Sequence, residues 1–235
     1  MGDSINFATV TTTLATVATV ALYFVHKRET SKLRDALALQ RYRRAHSKPS
    51  FEIETLFFPD KRIICWNFLF SKCRDESCGY CHDCEAPLAR LVKTLQNAKR
   101  SIDLALFEIT SEELTQALLD KLKEGVRVRL IIDSEYMMTT GSKLGKISSA
   151  GCEFIHDHTH GLFHHKFAIV DSQLVISGSM NWTRQAAIGN YENVLLVKDK
   201  NTALDFEKEY AKMWEEITDR LKSANEKLPD QAAEF

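Results

Sequence analysis

Reactive side chains are densest between His164 and Asn181. The chain reads His164-His165-Lys166-Phe167-Ala168-Ile169-Val170-Asp171 and, after six further residues, Gly178-Ser179-Met180-Asn181. Its polar skeleton is H-x-K-x4-D-x6-G-S-x-N. A lone H-x-K arises freely from average composition. Six specified residues at these spacings arise by chance in fewer than about one in ten thousand chains of this length. A nucleophilic imidazole, a fixed cation, and hydroxyl and amide donors on one wall suit attack on a phosphodiester anion.

These residues need a rigid mount. Two apolar runs, Phe167 to Val170 and Leu174 to Ile176, flank the turn residues Asp171-Ser172-Gln173 and read as two short strands. On a strand, His164 and Lys166 are two residues apart and point to one side. Gly178-Ser179 leads into an expected helix start at Asn181, where backbone N–H groups can meet an anion.

The surrounding chain alternates strands and helices, which predicts an α/β domain with a mixed sheet flanked by helices. Phe51 to Phe58 alternates as a first strand, stopped by Pro59. A helix carries Leu88, Leu91, Val92 and Leu95. A strand carries Ile102, Leu104 and Leu106. Thr110 and Glu113 read as a capping box for the helix of Leu114, Leu118 and Leu122, which Gly125 ends. The next strand, Val126 to Ile132, carries Arg127 and Arg129, two candidates for binding an anionic substrate. Asp133 ends that strand, a position for a turn, a cap or a functional group. A short helix follows Gly141, then a strand at Phe154-Ile155. After the motif come a strand from Val194 to Val197 and a helix from Asn201 to Leu221. Its Ala203, Phe206, Tyr210, Met213, Trp214, Ile217 and Leu221 recur at helical spacing and belong to the core. His156, His158 and His160 precede the motif. They match no metal-ligand spacing, and Lys166 repels a cation, so this loop is expected to line the cleft.

Lys and Arg total 31 against 32 Asp and Glu in 235 residues, so net charge alone gives no bulk affinity for nucleic acid. A local basic face stays open. Five of six cysteines lie between Cys65 and Cys84, which reads as metal ligation in a reducing compartment rather than disulfides. Cys65, Cys73, Cys78 and His82 form C-x7-C-x4-C-x3-H, a closed tetrahedral set for structural Zn2+. Cys81 or Cys84 could replace one of these ligands. The pattern is similar to CCCH zinc fingers, which often bind single-stranded RNA by stacking bases on aromatics.

Residues 5–25 carry no charge, and Phe7 to Val25 as a helix would span roughly 28 Å, close to a bilayer core. Lys27, Arg28, Lys32 and Arg34 follow rather than precede this run. That order favours a single-pass anchor over a signal peptide and places the remaining chain in the cytosol. The expected organisation is an anchor at 5–25, a basic linker at 26–50, a catalytic domain at 51–222 with a zinc module at 65–84, and a polar tail at 223–235.

The skeleton from His164 to Asn181 resembles the HKD signature of the phospholipase D superfamily. It occurs once, as in the short members that dimerise. With the anchor, the cysteine-rich insertion, Leu56 to Pro59, Gly125 to Arg129 and Gly178 to Thr183, the chain resembles the mitochondrial phospholipase D, or Zucchini, family. Cys81 and Cys84 depart from that pattern. The resemblance implies a homodimer through the motif, a phosphohistidine on His164 and no catalytic metal. It also implies that Lys166, Ser179 and Asn181 hold the phosphate, that Asp171 supports the motif, and that Glu192 orients the catalytic imidazole. It implies two substrates for the family, single-stranded piRNA precursors cut at the mitochondrial outer membrane and cardiolipin hydrolysed to phosphatidic acid. RNA is the expected main substrate, with cardiolipin the alternative. A non-catalytic membrane scaffold is the reading from another class.

Overall fold

The structure, a computed structural model, describes residues 22–23, 25–39, 51–75, 77–157 and 161–226. It divides into two compact units, Met1–Ser50 and Phe51–Phe235. In the first, residues 22–23 and 25–39 are helical, and Thr30 returns its hydroxyl to the His26 carbonyl at 3.0 Å. The expected anchor at 5–25 lies almost wholly outside the described residues, as does the linker beyond residue 39. No helix among the described residues is long and apolar enough to cross a membrane.

The second unit is a mixed sheet of seven strands in the order β1-β7-β6-β5-β2-β3-β4. The strands are β1 (Glu52–Phe58), β2 (Ser101–Leu106), β3 (Arg127–Asp133), β4 (Glu153–Asp157), β5 (Lys166–Val170), β6 (Leu174–Gly178) and β7 (Glu192–Lys198). The helices are α1 (Trp66–Phe70), α2 (Pro87–Gln96), α3 (Glu112–Lys123), α4 (Leu144–Ser149), α5 (Arg184–Ile188) and α6 (Lys200–Glu226). Strands β2, β3 and β4 run parallel, and β5, β6, β7 and β1 continue the sheet antiparallel. The mixed α/β architecture expected from the alternation is present.

Both faces of the central strands are covered, so β2 is buried at every position after Ser101. One face, through Leu104, Leu130, Ala168 and Ile176, packs on α2, α3, α4 and α5. The other, through Ala105, Ile131, Phe167 and Val175, packs on Ala203, Tyr210, Met213 and Ile217 of α6. Each fully buried leucine or isoleucine contributes about 1.5–3 kcal/mol relative to exposure. The expected stripe on α6 is therefore core.

Two local expectations are corrected. Ser111, not Thr110, caps α3: its Oγ accepts the Leu114 N–H at 3.3 Å and donates to Glu113 at 2.8 Å. Thr110 instead spends its own N–H on the Trp182 carbonyl at 3.0 Å. The helix after the motif starts at Arg184 with Thr183 as its cap, so no helix begins at Asn181. Trp182 and Met180 are almost completely buried, which pins this segment in an extended path before the helix can begin.

Candidate active site

The motif places its parts on adjoining strand ends. Lys166 opens β5, and His164 sits just before it, outside the strand. Both pack on Phe107, which follows β2: the His164 ring meets it edge-on at 4.9 Å, and the Lys166 ammonium lies 5.2 Å from its centroid. Lys166 also donates to the His164 carbonyl at 3.0 Å. The His164 side chain is exposed and makes no hydrogen bond among the described residues. Burial pushes the Lys166 ammonium below its ordinary pKa, while the charges of Glu192 and Glu108 push it back up.

From Ser179 to Trp182 burial alternates: Ser179 is exposed, Met180 buried, Asn181 half-buried and Trp182 buried. That period of two sends Ser179 and Asn181 away from the core. Gly178 serves close approach rather than anion binding, because a Cβ there would collide with the Asn193 carbonyl on β7. The Ser179 N–H is likewise committed, to the Asn193 carbonyl at 3.1 Å. Its hydroxyl donates to Glu192 at 2.5 Å and accepts the Asn193 N–H at 3.0 Å.

Glu192 opens β7 and also accepts from Asn190 at 3.2 Å. Its carboxylate thus holds Ser179 and Asn190, with no hydrogen bond to His164. Asn181 donates to Glu108 at 3.1 Å, and its buried Oδ1 has no partner among the described residues. Sequence reasoning missed Phe107 and Glu108. Their one signal was position, immediately past the carboxyl end of an apolar strand.

Asp171 lies at the other end of β5, about 17 Å along the strand from Lys166 at ~3.3 Å per residue. Its carboxylate accepts the backbone N–H groups of Lys99, Arg100 and Ser101 at 2.8, 2.7 and 3.0 Å. Burial opposes ionisation, but these three N–H donors hold the carboxyl below its ordinary pKa. Asp171 and Ser172 both have positive φ, 54° and 59°, as a type I′ hairpin turn demands. Asp171 accordingly fastens this turn and lies apart from His164 and Lys166.

Arg127 and Arg129 also lie away from the site, at the start of β3. Arg129 grips Asp103 with two bonds, 2.7 and 3.0 Å, and is stacked 5.1 Å from Tyr210 and 5.3 Å from Trp214. Arg127 reaches the same carboxylate at 3.5 Å. Of these two candidates for binding substrate, Arg129 spends guanidinium donors on the Asp103 pair against α6, whereas Arg127 stays half-exposed beside it. Beside His164 and His165 a cavity of about 410 Å³ is walled by Leu162, Phe163, Met213 and Ile217, with the Asp157–Arg220 pair at 2.8 Å in its lining. His156 is half-buried on β4, whereas His158 and His160 lie outside the described residues.

Cys65, Cys73, Cys78 and His82 bring one donor atom each within 4.8 Å of the others. The Cys78 sulfur lies 3.0 Å from the His82 Nε2. Three thiolates and an imidazole at such separations match a tetrahedral ion with metal–sulfur bonds of about 2.3 Å, so these residues could hold a metal. Cys81 is set apart because its backbone pairs with Ile63 and Cys65, at 2.9 and 3.0 Å, and its thiol packs on the core. Cys84 is exposed.

A family model described as "Cardiolipin synthase, PLD-like domain" matches residues 91–214. The chain is 38% identical over 181 residues to the mitochondrial cardiolipin hydrolase of Xenopus laevis, covering 77% of this chain and 85% of the relative. It is 39% identical over 172 residues to that of Homo sapiens, covering 70% and 68%. Among solved structures, the phospholipase D family member Nuc from Salmonella typhimurium superposes with a TM-score of 0.57 at 21% identity, covering 71% of this chain and 95% of that one. NucT from Helicobacter pylori gives 0.56 at 22%, covering 71% and 97%. These two show a shared fold. The motif, its mount on adjoining strand ends and the matched relatives converge: the chain belongs to the phospholipase D superfamily and is a phosphodiesterase of that type.

Proposed function

We propose that the chain cleaves phosphodiesters as a homodimer, through a phosphohistidine and without a catalytic metal. The carrying observation is that Lys166, Ser179, Asn181 and Glu192 gather on strand ends beside a His164 whose imidazole is open. His164 attacks phosphorus, and the bond to the leaving oxygen breaks. His164 of the partner subunit gives that oxygen its proton, then takes one from the water that hydrolyses the phosphohistidine. Lys166 and the amide of Asn181 meet the non-bridging oxygens as charge develops. Glu192 keeps Ser179 in place and, in the dimer, is available to an imidazole. Exposed apolar surface supports pairing: Ile53 and Phe57 of the edge strand β1 are 55% and 69% exposed, on the sheet face that carries α6 further in. An isologous contact is the commonest way to bring two identical segments together.

Single-stranded RNA is the substrate we favour. Around the cysteine cluster Trp66 and Tyr80 are 43% and 58% exposed, beside the exposed Lys61, Lys72 and Arg74. Exposed aromatics among cations are what unstacked bases require. In this reading Zn2+ holds the module together, and the N-terminal segment anchors the enzyme at the mitochondrial outer membrane with its domain in the cytosol. A second reading, hydrolysis of cardiolipin, is favoured by the name shared by the relatives.

The full chain offered labelled single-stranded RNA and cardiolipin vesicles separates them. Cutting of RNA supports the first reading, release of phosphatidic acid alone replaces it with the second, and inactivity toward both removes the enzymatic proposal. Cleavage should survive EDTA as long as the structural zinc is retained. Loss of activity that magnesium restores would refute the metal-free mechanism.

A further inference from the structure

One buried carboxylate bonds both the residue before His164 and the turn whose ring packs on Phe107. Asp133 ends β3 and is 3% exposed. Its Oδ1 accepts the N–H groups of Glu135 and Tyr136 at 2.9 and 3.3 Å, and its Oδ2 accepts the Phe163 N–H at 2.9 Å. Tyr136 stands 3.9 Å from Phe107, ring centre to ring centre, and Phe107 is the surface against which His164 and Lys166 rest. Phe163 is the residue immediately before His164 and is itself buried against the α6 layer. The opposite side of His164 is tied by the Phe107 N–H to the His165 carbonyl at 2.9 Å.

We propose that Asp133 is a positioning residue for His164, and this rests on the reading of His164 as nucleophile. The imidazole has no hydrogen bond among the described residues, so its placement depends on backbone and ring contacts. Asp133 fixes both, the backbone through Phe163 and the ring surface through Tyr136 and Phe107. A carboxylate is needed because it accepts on both oxygens. An asparagine offers one acceptor oxygen, and its amide nitrogen would face either Phe163 or the Glu135–Tyr136 turn, donor against donor. A nucleophile shifted by about 1 Å from its attack geometry costs on the order of 10²-fold in rate.

The test is Asp133→Asn in the full chain, with bis(4-nitrophenyl) phosphate as the phosphodiester probe. Asp103→Asn is the control, since Asp103 is equally buried at 4% but serves the Arg129 pair far from the site. Asp133→Asn should lower kcat by about 10–100-fold, with KM within about twofold and slower phosphohistidine formation in a single turnover. Asp103→Asn should lower thermal stability with kcat per folded molecule unchanged. If Asp133→Asn does not fold, Tyr136→Leu, which keeps the turn but withdraws the ring from Phe107, should still lower kcat severalfold. Wild-type kcat in a folded Asp133→Asn protein, or in Tyr136→Leu where that replaces it, overturns the proposal. Failure of the wild type to form a phosphohistidine with the probe overturns the reading of His164 and the proposal with it.

Discussion

The two ends of β5 carry the two halves of one motif and follow opposite rules. At the Asp171 end, a carboxylate takes three backbone N–H groups in a tight turn, and every strong acceptor is used. At the His164 end, an imidazole stands open and a lysine is held beside two carboxylates that do not neutralise it by direct contact. Satisfied polar groups stabilise a fold, whereas unsatisfied ones retain binding capacity for a substrate. Six residues of chain thus separate a structural fastening from the proposed reactive centre, and the same signature spans both.

Breaking the reactive end should dominate. His164→Asn should cost at least about 10³-fold in kcat while the thermal transition stays within a few degrees, measured with the phosphodiester probe and by calorimetry. A mixed dimer with one such subunit should lose most activity per remaining site, and a fully active mixed dimer would sink the two-histidine scheme. Lys166→Met should cost about 10²–10³-fold, the range for removing one group that stabilises transition-state charge. A loss seen mainly in KM would instead assign Lys166 to ground-state binding.

Breaking the fastening end should reverse the pattern. Asp171→Asn should destabilise by about 1–3 kcal/mol in urea unfolding, with kcat per folded molecule nearly unchanged. The folded carboxyl has a depressed pKa, so its stabilisation is present above the ordinary carboxylate range and is lost as pH falls through the folded value. The variant should therefore lose less stability than the wild type on acidification below about pH 4. A large fall in kcat at unchanged stability would move Asp171 into the reactive half. The smallest effect belongs to Arg127→Ala, half-exposed on its ion pair, at about 0–1 kcal/mol and no change in probe KM.

Much of the fold was legible in the residues. Alternation marked the strands, and the 3.6-residue stripe on α6 marked its buried face, because burial is read from periodicity along one element. The misreadings share another cause. The Thr110 cap and the helix start at Asn181 failed because Trp182, buried by distant elements, holds both neighbouring segments in extended pairing. The ion pairing of Arg127 and Arg129 was likewise invisible in the sequence, because Asp103 lies on another strand, brought opposite Arg129 by the β2–β3 register. Glu108 and Asp133 carried no motif. Their roles come from neighbours 73 and 30 residues away, Asn181 and Phe163.

The sequence by itself determined the types and spacing of the chemical groups: imidazole, ammonium, carboxylate, hydroxyl and amide at fixed intervals, and four side chains able to hold a metal within 18 residues, Cys65 to His82. Such spacings, with the family likeness they carry, survive without coordinates. Only the tertiary structure decided which groups are free. Whether an arginine faces a substrate or a buried aspartate, whether a motif carboxylate touches phosphate or fastens a turn, and which cysteines converge depend on contacts between strands far apart in the chain. Hydrogen-bond capacity is finite, and packing spends it before any substrate arrives.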